Sequence, residues 1–349
     1  MTTKTIPIDQ AVGMVLPHDI TEIRQEEAGN KDSGFKGPAF RKGHIIRYED
    51  IDHLRRLGKD HIYVLDLGPD DIHENEAAKL LADGLAGNGV ICSGKPVEGK
   101  IGLLAEHDGL LKLDKDALFR FNLLGEVMCA TLHNNTPVKK GEQVAATRLI
   151  PLTSKRKIVE QAVEISKEKN GIAQVIKLRR AKAGLVITGN EVYHGRIEDR
   201  FEPVLRKKLD QIGSKVKKVC FAPDDIDRIA EEITNCLEDG ADLIVTSGGM
   251  SVDPDDVTRL GIARAGATDI VYGTPVLPGA MFLVGRINDV PIMGLPACGM
   301  FHRITVFDLV LPRILAGESI DRADLAELGH GGLCRNCKIC QYPVCGFGK

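Results

Sequence analysis

The sequence predicts an α/β protein, a three-layer sandwich around a mainly parallel sheet, preceded by a mixed, β-rich N-terminal region. Three observations predict it. Between Lys182 and Leu315, short apolar runs alternate with helix-patterned segments, the rhythm of strand–helix–strand units. Between Glu74 and Leu152, still shorter apolar runs are separated by glycine-bearing turns, a β pattern. A chain of 349 residues, 43% of them hydrophobic, is long enough for two or three cored domains.

Residues 1–70 read as a small α+β unit. Val12 to Leu16 has the look of a strand, and Phe40 to Ile46 of a turn entering another. Glu49 to Leu57 has helical spacing, closed by Gly58 and followed by a strand over Ile62 to Leu65. Residues 71–152 read as the β-rich domain, with a short helix over Ala77 to Ala86. Strands are expected at Gly99 to Leu104, Val127 to Leu132 and Val144 to Thr147. Residues 153–180 read as a connecting helix. Within 181–317, helices are expected over Phe201 to Ile212, Ile226 to Leu237 and Phe301 to Leu315, the last kinked or ended by Pro312. Strands are expected from Ala183, over Val216 to Phe221 and over Asp242 to Thr246, with a hairpin pair at Phe282 to Val284 and Val290 to Met293. Residues 318–349 form a cysteine-rich tail.

The formal net charge of −3 gives no basis for nucleic-acid or membrane-surface binding, and the absence of Trp weakens base stacking further. No apolar run reaches the roughly 18 residues of a membrane span, and the first residues lack a signal-peptide pattern, so a cytoplasmic protein is expected. Five of the nine cysteines, Cys92, Cys129, Cys220, Cys236 and Cys298, are scattered and read as packed thiols.

Ligands of open parallel sheets bind beyond the carboxyl ends of the strands. Here those ends carry Thr188-Gly189-Asn190-Glu191, then Pro223-Asp224-Asp225, then Thr246-Ser247-Gly248-Gly249-Met250-Ser251, followed by Asp253 and Asp255-Asp256. Gly248 and Gly249 allow close backbone approach and a phosphate cradle, to which Ser247 and Ser251 add hydroxyl donors. Carboxylates repel a phosphate unless a cation intervenes, so Glu191, Asp224 and Asp256 make sense as holders of Mg²⁺. The alternative for Asp224 and Asp225 is helix capping.

These segments, with Gly195 to Asp199 and with Asp256 and Thr258, resemble the molybdopterin-binding domain. That domain is shared by the molybdotransferases (MoeA, gephyrin E-domain) and adenylyltransferases (MogA), and more distantly by CinA-type proteins. The resemblance implies a MogA-like fold over 181–317 that binds molybdopterin or its AMP adduct. It places Glu191, Asp224 and Asp256 at a catalytic, metal-holding site. Thr188, Gly189, Asp199, Ser247, Gly248, Gly249, Ser251, Pro278, Gly279 and Pro296 would contact the cofactor. It further implies a cytoplasmic homodimer acting in molybdenum cofactor biosynthesis by Mg²⁺-dependent molybdate insertion. Two alternatives are a carrier that passes the cofactor to a recipient molybdoenzyme, and a nucleotide pyrophosphatase of CinA type. Two departures weigh against molybdate insertion more than against pterin binding. Leu277 and Ala280 stand where the family has lysines, and Pro296-Ala297-Cys298-Gly299 replaces Pro-Gly-Asn-Pro.

The tail holds Cys334, Cys337, Cys340 and Cys345, spaced Cys-x2-Cys-x2-Cys-x4-Cys. Four thiols this close point to one metal centre, either a [4Fe–4S] cluster or Zn²⁺. Successive x2 spacings resemble an iron–sulfur run more than paired zinc knuckles.

Overall fold

The apolar run Ala183 to Ile187 is buried on both faces, as a strand inside a covered parallel sheet requires. The computed structural model describes residues 3–24, 35–65, 67–251 and 253–349. They divide into two compact units. The first comprises 1–106, 113–132 and 140–174, and the second 107–112, 133–139 and 175–349.

In the first unit Thr3–Pro7 pairs antiparallel with His61–Leu65, and Ile20–Arg24 pairs antiparallel with Phe35–Phe40. Helix Ile51–Arg56 contributes Ile51 and Leu54 to the small core they share. Val12 to Leu16 is not a strand. Only Val15 makes isolated bridges, to Ile45 and Leu65. A four-stranded antiparallel sheet then runs in the order Val90–Cys92, Lys100–Ala105, Gln143–Leu149, Val127–Thr131. The β-rich stretch also holds a helix that its turn pattern hid, Lys115–Leu123, whose N-cap Asp114 accepts the Ala117 amide at 3.0 Å. Arg156–Lys167, expected as a connector, packs on Glu74–Leu85. A Cβ at Gly84 would lie 3.4 Å from Val163, the contact of two closely apposed helices.

In the second unit the elements are labelled from Lys182. They are β1 (Lys182–Thr188), α1 (Phe201–Gln211), β2 (Lys215–Ala222), α2 (Ile226–Glu238), β3 (Leu243–Ser247), α3 (Thr258–Arg264), β4 (Thr268–Tyr272), β5 (Leu283–Ile287), β6 (Val290–Leu295), α4 (Val306–Leu315) and α5 (Arg322–Glu327). The six strands lie in the order β2-β1-β3-β6-β5-β4. The first four run parallel, and β5 and β4 add an antiparallel edge. The expected hairpin is present, with Ile287 opposite Val290. The edge strand β4 was not foreseen.

Alternate residues of the sheet feed two cores, one on each face. Leu185, Ile187, Leu243, Val245 and Met293 pack with α1 and α4, whereas Val186, Ile244 and Ile292 pack with α2 and α3. That gives the three layers. The final helix differs from expectation. Cys298–Phe301 is a separate turn, and α4 begins at Val306 because Thr305 and Asp308 form a capping box. Pro312 lies inside α4 without ending it. No described helix is long and apolar enough to cross a membrane.

Candidate functional site

Beyond the carboxyl ends of β1, β2 and β3 lies a cavity of about 780 Å³. Its wall includes Thr188, Gly189, Glu191, Asp199, Asp224, Gly248, Gly249, Ser251 and Asp256, so nine of the expected residues meet at one place. The parallel register explains the meeting. Ile187 lies beside Ser247, and Thr188 beside Ala222, so loops remote in sequence leave the sheet side by side. The wall is strongly acidic, since Glu198, Asp253 and Asp255 join the predicted carboxylates and Arg200 is the one cationic side chain among its lining residues.

The glycine loop after β3 is shaped by the protein itself. Gly248 has φ +85° and Gly249 φ +54°, conformations that disfavour side chains. A Cβ on Gly248 would fall 2.5 Å from the Thr188 carbonyl oxygen, and one on Gly249 would fall 2.2 Å from the Thr258 hydroxyl. Thr188 pins the loop. Its hydroxyl donates to the Ser247 carbonyl at 2.9 Å and lies 2.8 Å from the Thr258 hydroxyl. The Gly248 amide donates to Leu295 of β6. The Tyr272 hydroxyl of β4 donates to the Met250 carbonyl at 2.7 Å, and Arg259 stacks over the same ring 4.2 Å from its centroid. The strand that sequence reading missed therefore braces the loop it singled out.

The two neighbouring aspartates after β2 divide the work. Asp225 is the N-cap of α2 and accepts the Arg228 amide at 2.8 Å. Asp224 faces the cavity and forms a reciprocal clamp with Asn190. Its Oδ2 accepts the Asn190 amide at 2.9 Å, and Asn190 Oδ1 accepts the Asp224 amide at 3.2 Å. Asn190 stood in the sequence motif without a role. Burial first, and then the negative charges of Glu191, Asp256 and Asp255, push the Asp224 carboxyl above its usual range against the Asn190 bond that favours its ionised form. Asp199 accepts the amides of Phe201 and Glu202 at 2.9 and 2.8 Å, so it caps α1 as well as lining the cavity. Among the described residues no three or more His, Cys, Asp or Glu are gathered into a ready ligand set for a metal.

Four predicted residues lie outside the cavity wall. Ser247 is fully buried, with its hydroxyl unpartnered. Pro296 precedes Ala297, which does line the cavity. The Leu277-Pro278-Gly279 loop lies against the tail, where the Leu277 amide donates to Gly332 and the Cys334 amide to Leu277, both at 2.8 Å. A Cβ on Gly279 would collide with Val306 at 2.5 Å. Cys298 starts the short turn Cys298–Phe301 and does not line the cavity.

This is an α/β domain with a mainly parallel sheet and an acidic, glycine-looped rim at its strand ends. Residues 184–316 match the family described as "Probable molybdopterin binding domain", so the C-terminal half of the chain carries a molybdopterin-binding-family domain. Residues 5–66 match a domain described as of unknown function. A protein of Archaeoglobus fulgidus is 41% identical over 81 residues, 23% of this chain and 35% of that protein. CinA-like proteins of a Mycobacterium species and of Mycobacterium tuberculosis are 32% and 37% identical over 121 and 91 residues. These matches cover 34% and 26% of this chain and 29% and 21% of the relatives. The chain thus spans about a third or less of the curated relatives it matches. The solved molybdopterin biosynthesis Mog protein of Mycobacterium ulcerans aligns over 40% of this chain and 99% of that one, at 22% identity and a TM-score of 0.35.

Proposed function

We propose that the rim cavity takes the phosphate-bearing end of molybdopterin or of its AMP adduct, together with Mg²⁺, and that the chain acts as a molybdotransferase-type enzyme. The observation that carries this is the meeting of an acidic wall with a glycine loop at the strand ends of a molybdopterin-binding-family domain. A phosphate placed beside these carboxylates is repelled unless a cation lies between them. Mg²⁺ commonly takes one or two protein carboxylates, with waters and phosphate oxygens completing its shell, so it needs no crowded protein cage. Glu191, Asp224 and Asp256 fit that requirement, and the raised Asp224 carboxyl is a group that a cation would relieve. The ion would supply charge neutralisation at the phosphate.

The chain's own groups would position the ligand. Because the Gly248 amide is engaged with Leu295, the donors that the glycine loop itself would offer the phosphate are the backbone after Gly248 and the Ser251 hydroxyl. The Asn190 clamp would hold the Asp224 carboxylate toward the cavity as ligand enters. Leu277 and Ala280 offer no charge to an oxyanion. This favours cleavage of the AMP adduct by water over molybdate insertion as the step retained.

The test is anaerobic incubation of the full chain with the AMP adduct of molybdopterin, with and without Mg²⁺, following pterin fluorescence and AMP release. Mg²⁺-dependent AMP release, lost in Asp256→Ala, supports the proposal. Tight binding without turnover would make the protein a carrier. The similarity to CinA-like proteins favours a second reading, nucleotide pyrophosphatase activity. Turnover of ADP-ribose with no affinity for molybdopterin would replace the first reading by this one.

A further inference from the structure

The cysteine tail lies outside the family match, yet it is not a loose end. Cys334, Cys337, Cys340 and Cys345 all line one cavity of about 700 Å³, together with Phe301 and His302. The loop that carries them is tied at both ends. At its start, Gly332 and Cys334 are hydrogen-bonded to Leu277. At its close, the Gly348 amide donates to the Gly331 carbonyl at 3.0 Å and Phe347 is buried. The packing there demands glycine. A Cβ on Gly331 would stand 2.4 Å from the Lys349 carbonyl oxygen, and one on Gly348 the same distance from Leu309 of α4. Cys334 and Cys345 accordingly rest against the core of the sheet, whereas Cys337 is exposed.

We propose that these four cysteines close on a single tetrathiolate metal centre. The sequence supplies four thiols within one short loop, and the fold places all four residues along the wall of one cavity, with Cys334 and Cys345 packed against the core. As it stands, no three described ligands are gathered to hold an ion, so the centre forms when the segment bearing Cys337 and Cys340 folds onto the anchored pair. Ligand gathering of this kind is how metal binding and local folding are coupled. The surrounding charge suits the product. Four thiolates around Zn²⁺ or a [4Fe–4S]²⁺ core leave a net charge of about −2, and Arg303, Arg335 and Lys338 line the same cavity. The same loop lies on the Leu277 segment, which carries no cationic side chain from Leu277 to Ala280.

The experiment is metal and acid-labile sulfide analysis of the full-length protein. It is purified anaerobically and then reconstituted in parallel with an equimolar mixture of ferrous and ferric iron plus sulfide and with zinc chloride. The expected result is one centre per chain. Iron with sulfide and a visible charge-transfer band identifies the cluster, and zinc without colour identifies the ion. Cys337→Ser and Cys340→Ser should each reduce the metal to background with an unchanged melting temperature of the metal-free protein, and Cys92→Ser should retain it. Because a serine variant that misfolds would lose metal trivially, alkylation of the unmutated protein is the second measurement. The four tail thiols should be protected when loaded and reactive after chelation. Failure to take up either metal overturns the proposal, as does full metal content in the Cys337→Ser, Cys340→Ser double variant. Neither result bears on what the rim cavity binds, so the two proposals fail separately.

Discussion

The two cavities of the C-terminal unit are similar in volume and share one wall residue, Phe301, but differ in charge and in what builds their walls. The rim cavity is acidic, and its walls are the ends of regular elements. Asp224 is clamped by Asn190, Asp199 by the first turn of α1, and the glycine loop by Thr188 and Thr258. The tail cavity is lined by thiols and cationic side chains on a loop without helix or strand. Its ends are held by the Leu277 and Gly331 contacts, and between them Tyr342 and Cys345 pack against the core while Cys337 stays exposed. The two sites therefore ask different things of a ligand. A rim preorganised by a sheet can receive a small anion and cation with little rearrangement, whereas the proposed centre in the cysteine loop would gather its ligands as metal binds.

The largest effect is expected at Gly248. Gly248→Ala places a side chain in a positive-φ position against the Thr188 carbonyl, and strain plus overpacking should cost about 2–4 kcal/mol. Chemical denaturation should show that loss, while metal uptake by the tail persists wherever the protein remains folded. Asp256→Ala comes next. Loss of a cation-holding carboxylate should weaken Mg²⁺-dependent ligand binding by roughly 10-fold or more, read by titration, with no change in tail metal content. Loss of tail metal with this variant would show that the sites are not independent.

The adjacent aspartates sharpen the contrast within the rim. Asp225→Ala removes the cap of α2 and should cost about 1 kcal/mol of stability with ligand affinity retained. Asp224→Asn should show a pH signature instead. Because the folded Asp224 carboxyl holds its proton to higher pH than the unfolded chain does, its contribution to stability is fully present below the ordinary carboxylate pKa and is lost as pH rises through the folded value. The variant and the parent should therefore match in strong acid, and the variant should become the more stable as pH rises, with Mg²⁺ raising the melting temperature of the parent more. A gap that widens toward acid would contradict the charge-repulsion account. The smallest effect is expected outside both cavities. Glu231→Ala, which opens the exposed ion pair with Arg228, should change stability by no more than about 0.5 kcal/mol and neither site.

Much of the rim was legible because local chemistry and sheet topology agreed. Parallel strands with glycines, hydroxyls and carboxylates after their carboxyl ends must present those residues on one edge, and nine of them do line one cavity. The thiol readings were legible too where burial decides. Cys129, Cys220 and Cys236 are buried, and burial pushes the Cys129 thiol up to about 12. Legibility failed where a residue had two uses open to it. Asp224 and Asp225 are chemically identical neighbours, and only their orientation at the end of β2 separates cavity wall from helix cap. Gly248 and Gly249 were read for their approach to a ligand, and the atoms they approach are Thr188 and Thr258.

The alternation of strand and helix in 181–317, the two faces of the sheet, the rim chemistry and the clustering of four thiols are therefore written along the chain. All of these follow from periodicity and spacing along the chain. Which distant segments meet is settled by folding. The edge strand β4 braces Met250 through Tyr272, α4 starts at Val306, and the tail lies along Leu277 so that its cysteines face a common cavity beside the rim. Such pairings depend on backbone hydrogen bonds and packing between segments far apart in sequence, for which no local pattern carries a signal.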